Sequence, residues 1–93
     1  MLEKRIEKRL TEEAKRRGGM AVKFTSPGTS GVPDRLVVMP GGKMGLVEVK
    51  APGKTPRPIQ RAMRRRFERL GVAVYVLDSL ESVGGAIDAI CAS

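Results

Sequence analysis

Gly31-Val32-Pro33-Asp34 leads into the apolar run Arg35-Leu36-Val37-Val38-Met39, then the turn Pro40-Gly41-Gly42, then Lys43-Met44-Gly45-Leu46-Val47-Glu48-Val49-Lys50. Two valine-rich runs around a glycine turn read as a β-hairpin. Side chains alternate along a strand, so Glu48 and Lys50 share one face while Val47 and Val49 share the other. Loop length decides where Asp34 falls. A two-residue loop, Gly41-Gly42, sets Asp34 against Val49 and sends Glu48 to the opposite face. A three-residue loop, Pro40-Gly41-Gly42, with a glycine in the left-handed position of a bulge, shifts the register by one. Asp34 then stands opposite Glu48, with Cβ atoms about 4.5–5.5 Å apart. The sequence predicts the three-residue turn.

Two carboxylates at that spacing suit one hard divalent cation. Carboxylate and carbonyl oxygens favour Mg2+ or Mn2+, and Mg2+ keeps several waters of its own. The predicted metal ligands are Asp34, Glu48 and the carbonyl of Val49. Lys50 is placed to hold or deprotonate an attacking water, and to offset charge on a phosphate together with the metal.

The arrangement Pro33-Asp34…Glu48-Val49-Lys50 resembles the PD-(D/E)XK nuclease motif. With Gly31-Val32 ahead of it, an acidic first helix, and Gln60 on a following helix, the chain is similar to the VRR-NUC family of that superfamily. The resemblance runs from about Glu3 to Val76 and implies a metal-dependent DNA endonuclease. Stand-alone members of this size resemble phage or viral proteins, similar in organisation to dimeric resolvases of Holliday junctions. The resemblance also implies a supporting role for Gln60 and an acid from the first helix near the metal. Glu3 and Glu7 both qualify. Glu7 is spaced as in junction resolvases, and Glu3 resembles the usual VRR-NUC position.

The 93 residues suffice for one domain, 1–93, which buries only about 60–70% of its unfolded surface. Aromatic residues are 3% and tryptophan is absent, so the core is expected to be aliphatic and modest, which favours self-association. The formal charge of +8 suits a phosphate-rich partner. With no histidine, Ser-His-Asp catalysis, HNH-type nucleases and histidine-bound zinc are excluded. The single cysteine, Cys91, cannot form an internal disulfide and is expected to be a small packed residue. No secretory signal or membrane-length apolar run is visible, so a cytoplasmic location is expected, in a bacterial host if the chain is phage-encoded.

Leu2, Ile6, Leu10 and Ala14 recur every fourth residue and predict a helix from about Leu2 to Arg17, closed by Gly18-Gly19. Met20 to Thr25 reads as a strand. Ser26-Pro27-Gly28-Thr29-Ser30-Gly31 is a loop whose small residues let backbone N–H groups approach a phosphate, or whose glycines serve the turn alone. The run Leu36 to Met39 suggests a strand covered on both faces. After the hairpin, Pro52-Gly53-Lys54-Thr55-Pro56-Arg57-Pro58 is a connector, with Pro58 suited to a first helical turn. The helix to about Leu70 is expected to bury Ile59, Met63, Phe67 and Leu70. Val72 to Leu77 is the clearest strand. Asp78…Glu81 resembles an N-terminal cap of a last helix to about Ala92. Its Leu80, Val83, Ala86, Ile87 and Ile90 form an apolar face for the core or a dimer seam.

The expected fold is therefore α/β, a restriction-endonuclease-like PD-(D/E)XK core of order α-β-β-β-α-β-α, with a mixed central sheet flanked by helices. The residues assigned to DNA are Arg35, Lys54, Arg57, Arg61, Arg64 and Arg65, because arginine forks match phosphates well. Scarce aromatic residues disfavour single-strand stacking, so duplex or branched DNA is the expected partner, with a homodimer as the working state. Nuclease action on flap or nicked duplex DNA is an alternative. A non-catalytic basic architectural module explains the arginines equally well. It leaves two acids in a phosphate-binding face without a purpose.

Overall fold

The computed structural model describes residues 2–93. Its elements are α1 (Leu2–Arg16), β1 (Met20–Lys23), β2 (Arg35–Met39), β3 (Lys43–Val49), α2 (Pro58–Arg69), β4 (Val74–Leu77) and α3 (Ser82–Ala92). The sheet order is β1-β2-β3-β4. β1–β2 and β2–β3 are antiparallel, and β3–β4 is parallel. That is the expected α-β-β-β-α-β-α order and mixed sheet. The parallel pair needs a crossover, which the connector and α2 supply.

Alternation along the strands sorts the sheet into two faces. Ala21, Val37, Met39, Val47, Val49 and Leu77 point to one side, where Ile6, Leu10 and Ala14 of α1 and Val83, Ala86, Ile87 and Ile90 of α3 cover them. All are aliphatic or methionine, as the composition demands. Gly45 admits α3 closely, since a Cβ there would lie 2.8 Å from Ile90 Cγ1. The α3 face therefore belongs to the core and is not a dimer seam. Cys91, one position off that stripe, is an exposed free thiol and not a packed residue.

The opposite face carries Glu48 and α2, and here the helix departs from expectation. α2 buries Gln60, while Ile59 is exposed and Leu70 is 82% exposed. Met63 and Phe67 are half-buried. The helix leans on β4 and, through an edge-on contact of Phe67 with Phe24, on the end of β1 (ring centroids 6.4 Å apart). Apolar spacing identified the helix but not which residue its contact centres on. Because α2 covers only part of this face, Leu36 and Val38 of β2 are half-buried and the strand is covered fully on one side alone.

Three terminal details also differ, the first being that β4 begins at Val74 rather than Val72. β1 ends at Lys23 rather than Thr25. The start of α3 is tied not by Asp78 and Glu81 but by Ser79, whose hydroxyl oxygen accepts the Ser82 N–H at 3.2 Å. Asp78 is exposed, and Glu81 makes no side-chain cap. Serine and aspartate are near-equivalent N-cap acceptors, so sequence alone does not choose between neighbours.

Candidate active site at the end of the β2–β3 hairpin

The turn sets the site. Met39 pairs with Lys43 and Arg35 with Val47, leaving Pro40, Gly41 and Gly42 as a three-residue loop. Both glycines take positive φ, 84° and 75°, one more than a single bulge glycine requires. Carried one step beyond Arg35–Val47, this register sets Asp34 opposite Glu48. The Asp34 carbonyl accepts the Phe24 N–H at 2.8 Å, extending the same row to β1.

Around the two acids the hydrogen bonds are specific. Val49 N–H donates to Asp34 Oδ2 at 2.9 Å. Gln60 Nε2 donates to Glu48 Oε2 at 2.7 Å. Lys50 Nζ lies 3.4 Å from the same Glu48 oxygen. Gln60 Oε1 in turn accepts the Arg57 N–H at 2.8 Å, so one side chain both closes the first turn of α2 and fixes Glu48. Gly31 holds the entering loop against α2. Its φ is 84°, and a Cβ there would lie 2.7 Å from the Ile59 carbonyl oxygen.

Glu48 is 3% exposed. Burial, then the neighbouring Asp34 charge, raises its pKa from 4.5 to about 7, against the lowering effect of Lys50. Out of water and beside a second acid, the Glu48 carboxylate carries its charge at a cost that a nearby cation would offset. One oxygen of each acid is thus held by an N–H donor, and the two carboxyl groups also lie within hydrogen-bond reach of each other. N–H and C=O of one extended residue point the same way, so the Val49 carbonyl faces Asp34 as its N–H does. This donor set of two carboxylate oxygens and a carbonyl oxygen fits a hard divalent cation that retains waters. No cluster of three acidic, histidine or cysteine side chains that could hold a metal occurs among the described residues.

A cleft of about 410 Å³ opens beside Asp34, between the first turns of α1 and the ends of β1 and β2. Glu3, Glu7 and Arg35 line it, with Lys4, Lys23 and Thr25. Arg35 Nη2 donates to Glu7 Oε2 at 3.1 Å, and both side chains are largely buried. Arg35 is thus a partner of Glu7 while it lines the cleft, a pairing the sequence assignment did not include. Nothing in the sequence signals the pair, because it joins residues 28 apart across two elements. Lys54, Arg57, Arg61 and Arg65 are exposed. Arg64 is half-buried and ion-paired with Glu68 at 3.0 Å.

The element order, the mixed sheet and the hairpin bearing Asp34, Glu48 and Lys50 define the PD-(D/E)XK class. A solved structure described as "VRR_NUC domain" superposes with a TM-score of 0.88 at 35% identity, covering 95% of this chain and 96% of that one. The chain belongs to the VRR_NUC family. "Putative nuclease p44" of Acyrthosiphon pisum secondary endosymbiont phage 1 is 54% identical over 74 residues, 80% of each chain. No family profile matches the chain. None of its described helices is long and apolar enough to cross a membrane.

Proposed function

We propose that the chain is a Mg2+- or Mn2+-dependent DNA endonuclease that hydrolyses phosphodiesters in duplex or branched DNA, Holliday junctions included, as a homodimer. The observation that carries this reading is the opposed pair Asp34 and Glu48, with Glu48 raised to about 7, in a chain of net charge +8. Nuclease activity is what the VRR_NUC neighbour and the phage relative support. The metal, the branched substrate and the dimer go beyond them.

Asp34, Glu48 and the Val49 carbonyl would hold the ion, which when bound supplies charge stabilisation to the phosphate and a more acidic water. Gln60 keeps Glu48 aimed by occupying one of its oxygens. Val49 N–H does the same for Asp34. Lys50, just past the end of β3 with its Nζ 3.4 Å from Glu48 Oε2, is positioned to orient or accept a proton from the attacking water. It also counters negative charge building on the phosphate. Glu3 and Glu7 lie at the cleft beside Asp34. Because Glu7 is engaged by Arg35, Glu3 is the freer acid for a metal-bound water. Lys54, Arg57, Arg61 and Arg65 flank the site on the connector and the first turns of α2, where they would meet phosphates either side of the cut. No device for base readout accompanies them, which supports selection by DNA shape.

Calorimetric titration of Mn2+ tests the metal separately from catalysis. Wild-type protein should bind one ion per site with proton release near pH 6.5, and Asp34→Asn should lose that binding. Equal binding by the two proteins would remove Asp34 from the metal site.

A further inference from the structure

The charges of α1 are sorted by face. Three of its four acids are partly buried: Glu3 and Glu7 line the cleft beside Asp34, and Glu13 is held by Arg16 and Arg17. Lys4, Arg5, Lys8 and Arg9 are all exposed, on the outward side of the first turns. None of these four is ion-paired among the described residues, with Glu12 or with any other acid. Arg5, Lys8 and Arg9 edge a shallow groove of about 210 Å³ with Glu12 and Leu80. Lys4 lines the cleft beside Asp34, so the row runs from the site onto the outer face of α1. Within the chain alone the arrangement is unfavourable. Lys4 and Lys8, and Arg5 and Arg9, are like-charge neighbours one turn apart, which destabilises a helix. Lys4 and Arg5 also fall in the first turn, where the helix dipole repels cations. An anion bound from outside relieves both costs.

We propose that this face of α1 is a second seat for the DNA backbone, holding a duplex arm that leaves the site on the side of the sheet away from α2. The proposal rests on the DNA-binding reading above but not on cleavage. It adds a surface to the cations already assigned on the connector and α2. From Lys4 to Arg9 the helix rises about 7–8 Å. Duplex DNA presents about four phosphates over that length, one for each cation. α1 packs on the sheet face opposite Glu48 and α2, so cations of the two helices flank the site from both sides. Arms held by the two sets diverge at the site, a geometry that favours branched or sharply bent DNA over a straight duplex. A membrane surface is a poor occupant. The apolar stripe of α1, Ile6, Leu10 and Ala14, is buried in the core and leaves nothing to insert into lipid.

Fluorescence anisotropy of a labelled four-way junction and a labelled linear duplex, titrated with the full chain in EDTA, tests the seat without cutting. Lys8→Ala with Arg9→Ala should weaken junction binding about tenfold and linear duplex binding less than about threefold. On the junction, the slope of log affinity against log salt should become shallower by about two. Lys8→Arg with Arg9→Lys keeps both charges and should bind junction as wild type does. Thermal unfolding should not fall in either variant, because both side chains are exposed. Junction affinity within about twofold of wild type in the alanine variant would overturn the proposal. An equal loss on junction and linear duplex would overturn it too, by showing one diffuse field and no second arm. Cutting plays no part in these readings, so a wild type that binds junction without cleaving it would sink the nuclease reading alone.

Discussion

Gln60 joins stability and chemistry in one side chain. It accepts the Arg57 N–H just ahead of α2 and donates to Glu48. Gln60→Leu should therefore cost about 1–3 kcal/mol in urea unfolding, the range for leaving buried partners unsatisfied. An unfolding midpoint within error of wild type would mean that water replaces it without loss. Glu48 gives a pH signature. Its folded pKa of about 7 lies above its ordinary 4.5, so between these values the folded state holds a proton that the unfolded chain releases. Stability of the metal-free protein should fall as pH rises from about 4.5 to 7, by on the order of 3 kcal/mol at most. Glu48→Gln should flatten the profile, and divalent metal should reverse it by favouring the ionised form. A profile that keeps its slope in Glu48→Gln would assign it to another group. Asp34, Glu48 and Lys50 could be singled out from sequence because strand alternation and residue chemistry are local, whereas Gln60 was reached only through the family resemblance. The Arg35–Glu7 pair could not, since it depends on where α1 lands on the sheet.

Among the elements, the hairpin has the least latitude. Deleting Gly42 would shift the register by one and exchange the faces of Asp34 and Glu48 relative to each other. The deletion should abolish metal binding even if the hairpin still folds. Retained Mn2+ binding in the deletion variant would contradict the register argument. Leu10, wholly buried on α1, sits where its helix meets the sheet. Leu10→Ala should cost about 2–5 kcal/mol, measured by denaturant unfolding. Elements with regular spacing, α1 and the hairpin above all, were legible because period and turn chemistry agree. α2 was legible as a helix but misleading as a stripe: it leans on β4 and buries a glutamine, because Gln60 turns inward to hydrogen-bond Glu48. Cap choice at α3 and the orientation of Cys91 depend on single-residue rotations about a helix axis, which apolar spacing does not resolve.

For the whole molecule, a net charge of +8, carried mainly outside the strands, accompanies an opposed acidic pair on the sheet. That distribution makes affinity and catalysis separable. DNA binding should weaken steeply with salt, because it rests on Lys and Arg contacts to phosphate. Arg61→Ala with Arg65→Ala should reduce the slope while leaving Mn2+ affinity unchanged, since neither residue touches Asp34 or Glu48. Fold class followed from the order of elements. The partial cover of the sheet by α2 did not, because it depends on the length and tilt of one helix. The most direct test of the central claim is cleavage of labelled four-way junction, flap and linear duplex DNA. Wild type and Lys50→Ala would be compared in Mg2+, Mn2+ or EDTA. Cutting that requires metal and falls at least a hundredfold in Lys50→Ala, with junction the preferred substrate, is the expected result. Binding without cutting in either metal, or cutting that survives in Lys50→Ala, would contradict the account.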